Sequence, residues 1–268
     1  MKTDIGISSA CLFPLDTIQS VAACADAGFD KEEIFINTDS ELSGDYFKRL
    51  KKVVTDRKLK ITSIHPFTSG FENILFFVGY EKRIEDGAEY YKKYFNAAAE
   101  LGAKYVVFHG NNMKTKFCGF ERYCEIFQYI NSKAKPFGVE LLHENVSFSV
   151  AGEPDNIRKL RQVCPEMRFV FDAKQSCRGG YDPYDALDAM GDAVAHVHIN
   201  DYDLKNRECK PPFFGELDLP LILSKLKKIG YEGDTIVEVY RENFEDISEL
   251  TRSAKLLKDL ITSINLQV

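Results

Sequence analysis

A chain of 268 residues is long for one average domain and short for two, and it can bury a large core without disulfide or metal staples. Hydrophobic residues make up 44% and charged residues 28%, as in ordinary soluble globular proteins. With 35 Lys and Arg against 41 Asp and Glu, the net charge of −6 argues against a sequence-independent nucleic-acid binder. The N-terminal MKTDIGISSACLF has neither the apolar stretch nor the cleavage site of a signal peptide. Apolar runs such as 74–78 are too short to span a bilayer, so no membrane partner is expected. Seven scattered cysteines without a C-x-x-C read as reduced thiols of a cytoplasmic protein.

Short β-rich runs alternate with longer amphipathic stretches along the chain. In order, strand 4–8 precedes helix 15–27, strand 33–37 precedes helix 45–57, and strand 60–65 precedes helix 83–101. Strand 105–109 is followed by helix 119–135, strand 139–145 by 153–164, and strand 169–172 by 185–190. Strands 194–200 and 235–239 are followed by helices 219–229 and 247–261. Gly28, Gly102, Gly138, Gly191 and Gly230 stand where a helix should stop before the next strand. Runs such as YVVF and RFVF are apolar on both faces, as in a parallel sheet covered by helices. Eight strand–helix units in this length predict an α/β fold, a (β/α)8 barrel forming a single domain over residues 1–268. Two connections are long, 66–80 after the third strand and 201–218 after the seventh. The first is apolar, which suits either a lid or the contact of a homo-oligomer.

In such a barrel the active site forms at the C-terminal ends of the strands. Those ends carry His65, His109, Glu144 with Asn145, Asp172, His198 and Glu238. Three carboxylates at one barrel mouth repel each other, by roughly 4 kcal/mol per pair at about 4 Å and an effective dielectric near 20. A cation resolves this. Glu144, Asp172, His198 and Glu238 form an oxygen-rich donor set with one imidazole, suited to one divalent ion, Mn²⁺ or Mg²⁺ first and Co²⁺ or Zn²⁺ next. The competing arrangement is an ion-pair ring with Lys174 and nearby arginines.

His109-Gly110, HENVSF at 143–148, FDAKQ at 171–175, HVHIND at 196–201, GELD at 215–218, IGYEG at 229–233 and IVEVY at 236–240 occur in this order. In these stretches the chain resembles the xylose-isomerase-like barrel superfamily, the sugar phosphate isomerase/epimerase group. The resemblance covers essentially the whole chain and implies that Glu144, Asp172, His198 and Glu238 bind one divalent metal. It also implies that Glu144 and Glu238 form the acid–base pair of a sugar or sugar phosphate isomerase or epimerase. Such an enzyme removes a proton next to a carbonyl through a metal-stabilised enediolate. The resemblance is broken at two places. Gln175 stands where many epimerases have His, and Leu204 where many have Arg, with Lys205 and Arg207 nearby.

His65, His109, Gln175, Lys174, Asn145, Asp201 and Arg207 are the candidate substrate contacts, with Asn145, Asn200 and Asp201 also suited to orienting ligands. Lys174 follows Asp172 by two residues, at or just past the end of the strand. It could then pair with Glu144 or Asp201, bind a substrate anion, or be solvated. His143 should face the helix layer and His196 the packed interior of the barrel. Phe13, Phe67 and Phe71 are candidate walls for a sugar or polyol substrate. Other readings are a cyclitol or keto-acid dehydratase, kept open by Gln175 and Lys174, and a non-catalytic binding protein, against which Glu144 and Glu238 stand. An abasic-site endonuclease is the least favoured, since residues 202–218 contain no His.

Overall fold

The computed structural model describes residues 2–112 and 116–266. Eight parallel strands close into a barrel: β1 (Ile5–Ser8), β2 (Lys31–Ile36), β3 (Lys60–Pro66), β4 (Tyr105–Phe108), β5 (Glu140–Glu144), β6 (Phe169–Asp172), β7 (Val194–Ile199) and β10 (Thr235–Val237). β10 pairs with both β1 and β7. The outer helices are α1 (Thr17–Asp26), α2 (Gly44–Asp56), α4 (Glu81–Leu101), α5 (Phe120–Ala134), α6 (Pro154–Val163), α8 (Pro183–Met190), α9 (Leu219–Lys228) and α10 (Ile247–Leu266). This is the expected (β/α)8 barrel in a single domain.

Local chemistry sets the helix ends. The side chains of Asp16, Asp182 and Asp218 accept from the first-turn amides of α1, α8 and α9. The five expected glycine stops all have positive φ. A large apolar layer lies between sheet and helices. A small plug of Val107, Leu142, Val170 and Ala195 forms a separate apolar cluster.

Three short elements depart from the expected pattern. The 201–218 connection folds into an antiparallel hairpin, β8 (Asp201–Asp203) with β9 (Glu208–Lys210). Asp201 knots it, accepting from the amides of Tyr202, Phe213 and Leu217. The 66–80 connection contains α3 (Glu72–Phe76). Its Glu72 is buried and accepts from Tyr91 Oη at 2.7 Å and from the amides of His109 and Gly110 at 2.7 and 2.5 Å. Phe76 and Phe77 pack on Phe108. One side of this connection is therefore pinned to the barrel, while Phe71, Ile74, Val78 and Tyr80 remain exposed. Finally, α7 (Ala173–Gly179) begins directly at the end of β6.

Candidate active site

β5, β6 and β7 deliver Glu144, Asp172 and His198 to the C-terminal mouth of the barrel, and Glu238 follows the last residue of β10. The register places Asp172 beside His198, which fixes their side chains on the same inward face. His198 Nδ1 lies 3.4 Å from Glu144 Oε1, 3.3 Å from Glu238 Oε2 and 3.8 Å from Asp172 Oδ2. One donor atom from each of the four residues lies within 4.8 Å of the others, and all four residues are buried.

Glu33 was not anticipated from sequence as part of the site. It lies on β2 opposite Ser8 and Ser63, both of which hydrogen-bond its carboxylate. Its Oε2 is 3.0 Å from His198 Nε2 and 3.3 Å from His196 Nε2. Burial acts to raise Glu33, but the surrounding histidines hold it well below the usual carboxylate range. A carboxylate on Nε2 keeps that nitrogen protonated and leaves Nδ1 to face the other acids, the arrangement that orients a metal-binding imidazole. The legible trace was the Glu32-Glu33 pair just ahead of the apolar Ile34-Phe35-Ile36: alternation sends one of the two inward.

Lys174 is neither solvated nor paired with Glu144 or Asp201. It is 1% exposed, and its ammonium donates to Asp172 Oδ2 and, at 2.5 Å, to Glu238 Oε2. The reason is local. The Asp172 side chain caps α7 by accepting from the Gln175 amide, so the strand has already ended and Lys174 sits in a first helical turn. Asn200 holds that turn, accepting from the Lys174 amide at 2.9 Å and donating to Asp172 Oδ1 at 2.9 Å. Burial would raise Glu238, but His198 and Lys174 bring it down to about 2. Burial would raise Glu144 too, and His109, His198 and His65 hold it well below its ordinary value.

Above these groups opens a cavity of about 410 Å³. His65, His109 and Gln175 line it with Glu144 and Glu238, so the structure brings these candidates together. His109 Nε2 lies 2.8 Å and His65 Nε2 3.6 Å from Glu144 Oε2, and the two rings with Glu144 form a second group of metal-capable atoms. Phe13 and Phe67 are walls, joined by Phe35; Phe71 points elsewhere and is exposed. Asn37, Tyr240 and Arg241 also line the cavity and were not anticipated. Among the described residues Asn37 Oδ1 is buried without a partner, although its side-chain nitrogen donates to Thr17 Oγ1.

Other candidates lie outside that lining. Asn145 clamps the backbone of Asp172, donating to its carbonyl and accepting from its amide. Asp201 organises the hairpin connection. Arg207 sits exposed between β8 and β9 and donates to the Arg178 carbonyl, so the hairpin takes it away from the cavity. His143 is buried in the helix layer against Tyr123, with burial holding it down at about 4. His196 is buried as expected, but as a partner of Glu33 and Ser63. A larger recess, about 640 Å³, lies among the N-terminal strand ends, including Lys31, Lys60 and Tyr105; it holds none of the carboxylate constellation.

Three buried carboxylates and one oriented imidazole around a common point fit a divalent cation, and the Lys174 ammonium already bridges two of those carboxylates. Fold and cluster together define a (β/α)8 barrel with an acid-rich, metal-capable mouth. The sequence profile of the xylose isomerase-like TIM barrel family matches residues 21–260, and the chain belongs to that family. No curated protein matches the chain in sequence. Among solved structures, it is similar to a D-tagatose 3-epimerase-like protein, at 20% identity and a TM-score of 0.80 over 99% of both chains. It is similar to an L-ribulose 3-epimerase, at 17% identity and a TM-score of 0.76 over 99% of this chain and 96% of that one. It is also similar to the D-psicose 3-epimerase of Clostridium cellulolyticum H10, at 17% identity and a TM-score of 0.73 over 98% and 99%. At these identities the likeness is one of fold. Among the described residues, no helix is long and apolar enough to cross a membrane.

Proposed function

We propose that the protein is a divalent-metal-dependent epimerase or isomerase of a sugar, sugar phosphate or related polyol. The observation that carries this reading is the convergence of Glu144, Asp172, His198 and Glu238 beneath a partly aromatic cavity. These four residues would hold the ion, Mn²⁺ or Mg²⁺ by the chemistry of the donor set. When bound, the ion supplies Lewis-acid stabilisation of the charge that develops on the substrate carbonyl oxygen.

The chain does the rest. One of Glu144 and Glu238 takes the proton from the carbon next to the carbonyl, and the C–H electron pair moves toward the carbonyl oxygen to give an enediolate. The other returns a proton, to the opposite face for epimerisation or to the neighbouring carbon for isomerisation. Glu33 holds His198 in one orientation throughout. His65 and His109, which line the cavity, would donate to substrate hydroxyls, and Gln175 would bind one without titrating. Phe13, Phe35 and Phe67 cover the apolar face of the ring and exclude water.

The test is deuterium uptake from D₂O, followed by NMR, with metal-loaded protein and a panel of ketoses, their phosphates, inososes and keto acids. Uptake next to a carbonyl is expected, lost in Glu144→Gln and in Glu238→Gln. The product distinguishes epimerisation from isomerisation and from dehydration. Metal-loaded protein that exchanges no proton on any of these compounds would count against the reading.

A further inference from the structure

We propose that Lys174 is a latch on the metal site: its ammonium holds Asp172 and Glu238 through the oxygens a divalent ion needs, so the ion enters by displacing it. This rests on the metal-dependent reading above. The oxygens of Asp172 and Glu238 closest to His198 Nδ1 are Asp172 Oδ2 and Glu238 Oε2. Those same two atoms accept from Lys174 Nζ. Asp172 has no spare oxygen to offer instead, because Oδ1 already accepts from Asn200 Nδ2 at 2.9 Å and from the Gln175 amide at 3.3 Å.

The lysine cannot leave for bulk water without breaking its surroundings. It is 1% exposed, its amide is held by Asn200, and Tyr240 lies beside its head with the ring centroid 5.6 Å away. A buried ammonium between two carboxylates is held by charge and by hydrogen bonds. The same carboxylates are what attracts a metal. Two cations therefore compete for one pair of oxygens, and each binds at the expense of the other.

The test compares metal-stripped wild-type protein and Lys174→Met, titrated with MnCl₂ in a calorimeter. The variant is expected to bind about tenfold more tightly or better. Equal or weaker binding by the variant overturns the latch and leaves the metal-dependent reading intact; binding by neither protein overturns both. Lys174→Met leaves Asp172 and Glu238 without their cation, so a second measurement uses the unaltered chain. In ¹⁵N-lysine-labelled protein, the buried Lys174 ammonium should give a protected ¹H–¹⁵N signal. On addition of MgCl₂ or ZnCl₂ that signal should shift or vanish in step with site occupancy. A signal unchanged at saturation overturns the proposal.

Discussion

Glu32 is fully buried, and neither of its side-chain oxygens has a hydrogen-bond partner among the described residues. It follows the alternation of β2 away from the Glu33 cluster. Burial pushes its carboxyl up to about 9, against a weak opposing pull from Arg57. In the unfolded chain the same group titrates near 4.5. Below pH 4.5 it is protonated in both states and costs nothing. Between 4.5 and about 9 the unfolded chain has released the proton and the folded chain keeps it, so stability falls as pH rises. At pH 7 this amounts to about 3 kcal/mol. Glu32→Gln resembles the protonated carboxyl in shape and carries no titrating proton. It should therefore unfold at higher urea than wild type at pH 7, by that amount, while the two proteins converge at pH 4.5. Urea unfolding at pH 4.5, 6, 7 and 8 reads this directly. A difference between the two that does not change with pH would refute the reasoning.

Three further outcomes are expected. Glu33→Ala removes the carboxylate from His198 Nε2 and should weaken metal binding by roughly 10–100-fold, measured by titration of the stripped protein; an unchanged affinity would show that His198 needs no such support. Gly110→Ala places a Cβ inside the van der Waals radius of Tyr123 Oη at a position with φ +79°, and should cost roughly 2 kcal/mol or more, seen as a lower thermal midpoint. Glu72→Ala leaves the His109 and Gly110 amides and Tyr91 Oη without their acceptor. Limited proteolysis should then cut within 66–80 faster than in wild type, and equal rates would mean that Phe76 and Phe77 hold this connection without Glu72.

Much of the barrel is legible because its information is local. Hydrophobic period, helix caps and glycine stops lie within a few residues of the elements they define, and the eight strand–helix units appear near their expected boundaries. The four site acids and bases were legible for a related reason. A charged or imidazole side chain at the end of an apolar strand is conspicuous, and strand alternation states which face it takes. The short elements were less so. α3, α7 and the β8–β9 hairpin have too few residues for a period to show.

What only the tertiary structure decided is which side chains meet across the barrel. Lys174 could be solvated, anion-binding or paired as far as sequence goes; its place was settled by Asp172 ending β6 and capping α7. Arg207 looked close to the site in sequence and is carried away by the hairpin turn. Glu33 and His198 are 165 positions apart, and no local pattern joins them. Closure of the barrel leaves only β1 and β10 between the second strand and the seventh, and that long-range geometry turns an isolated glutamate into the partner of an imidazole.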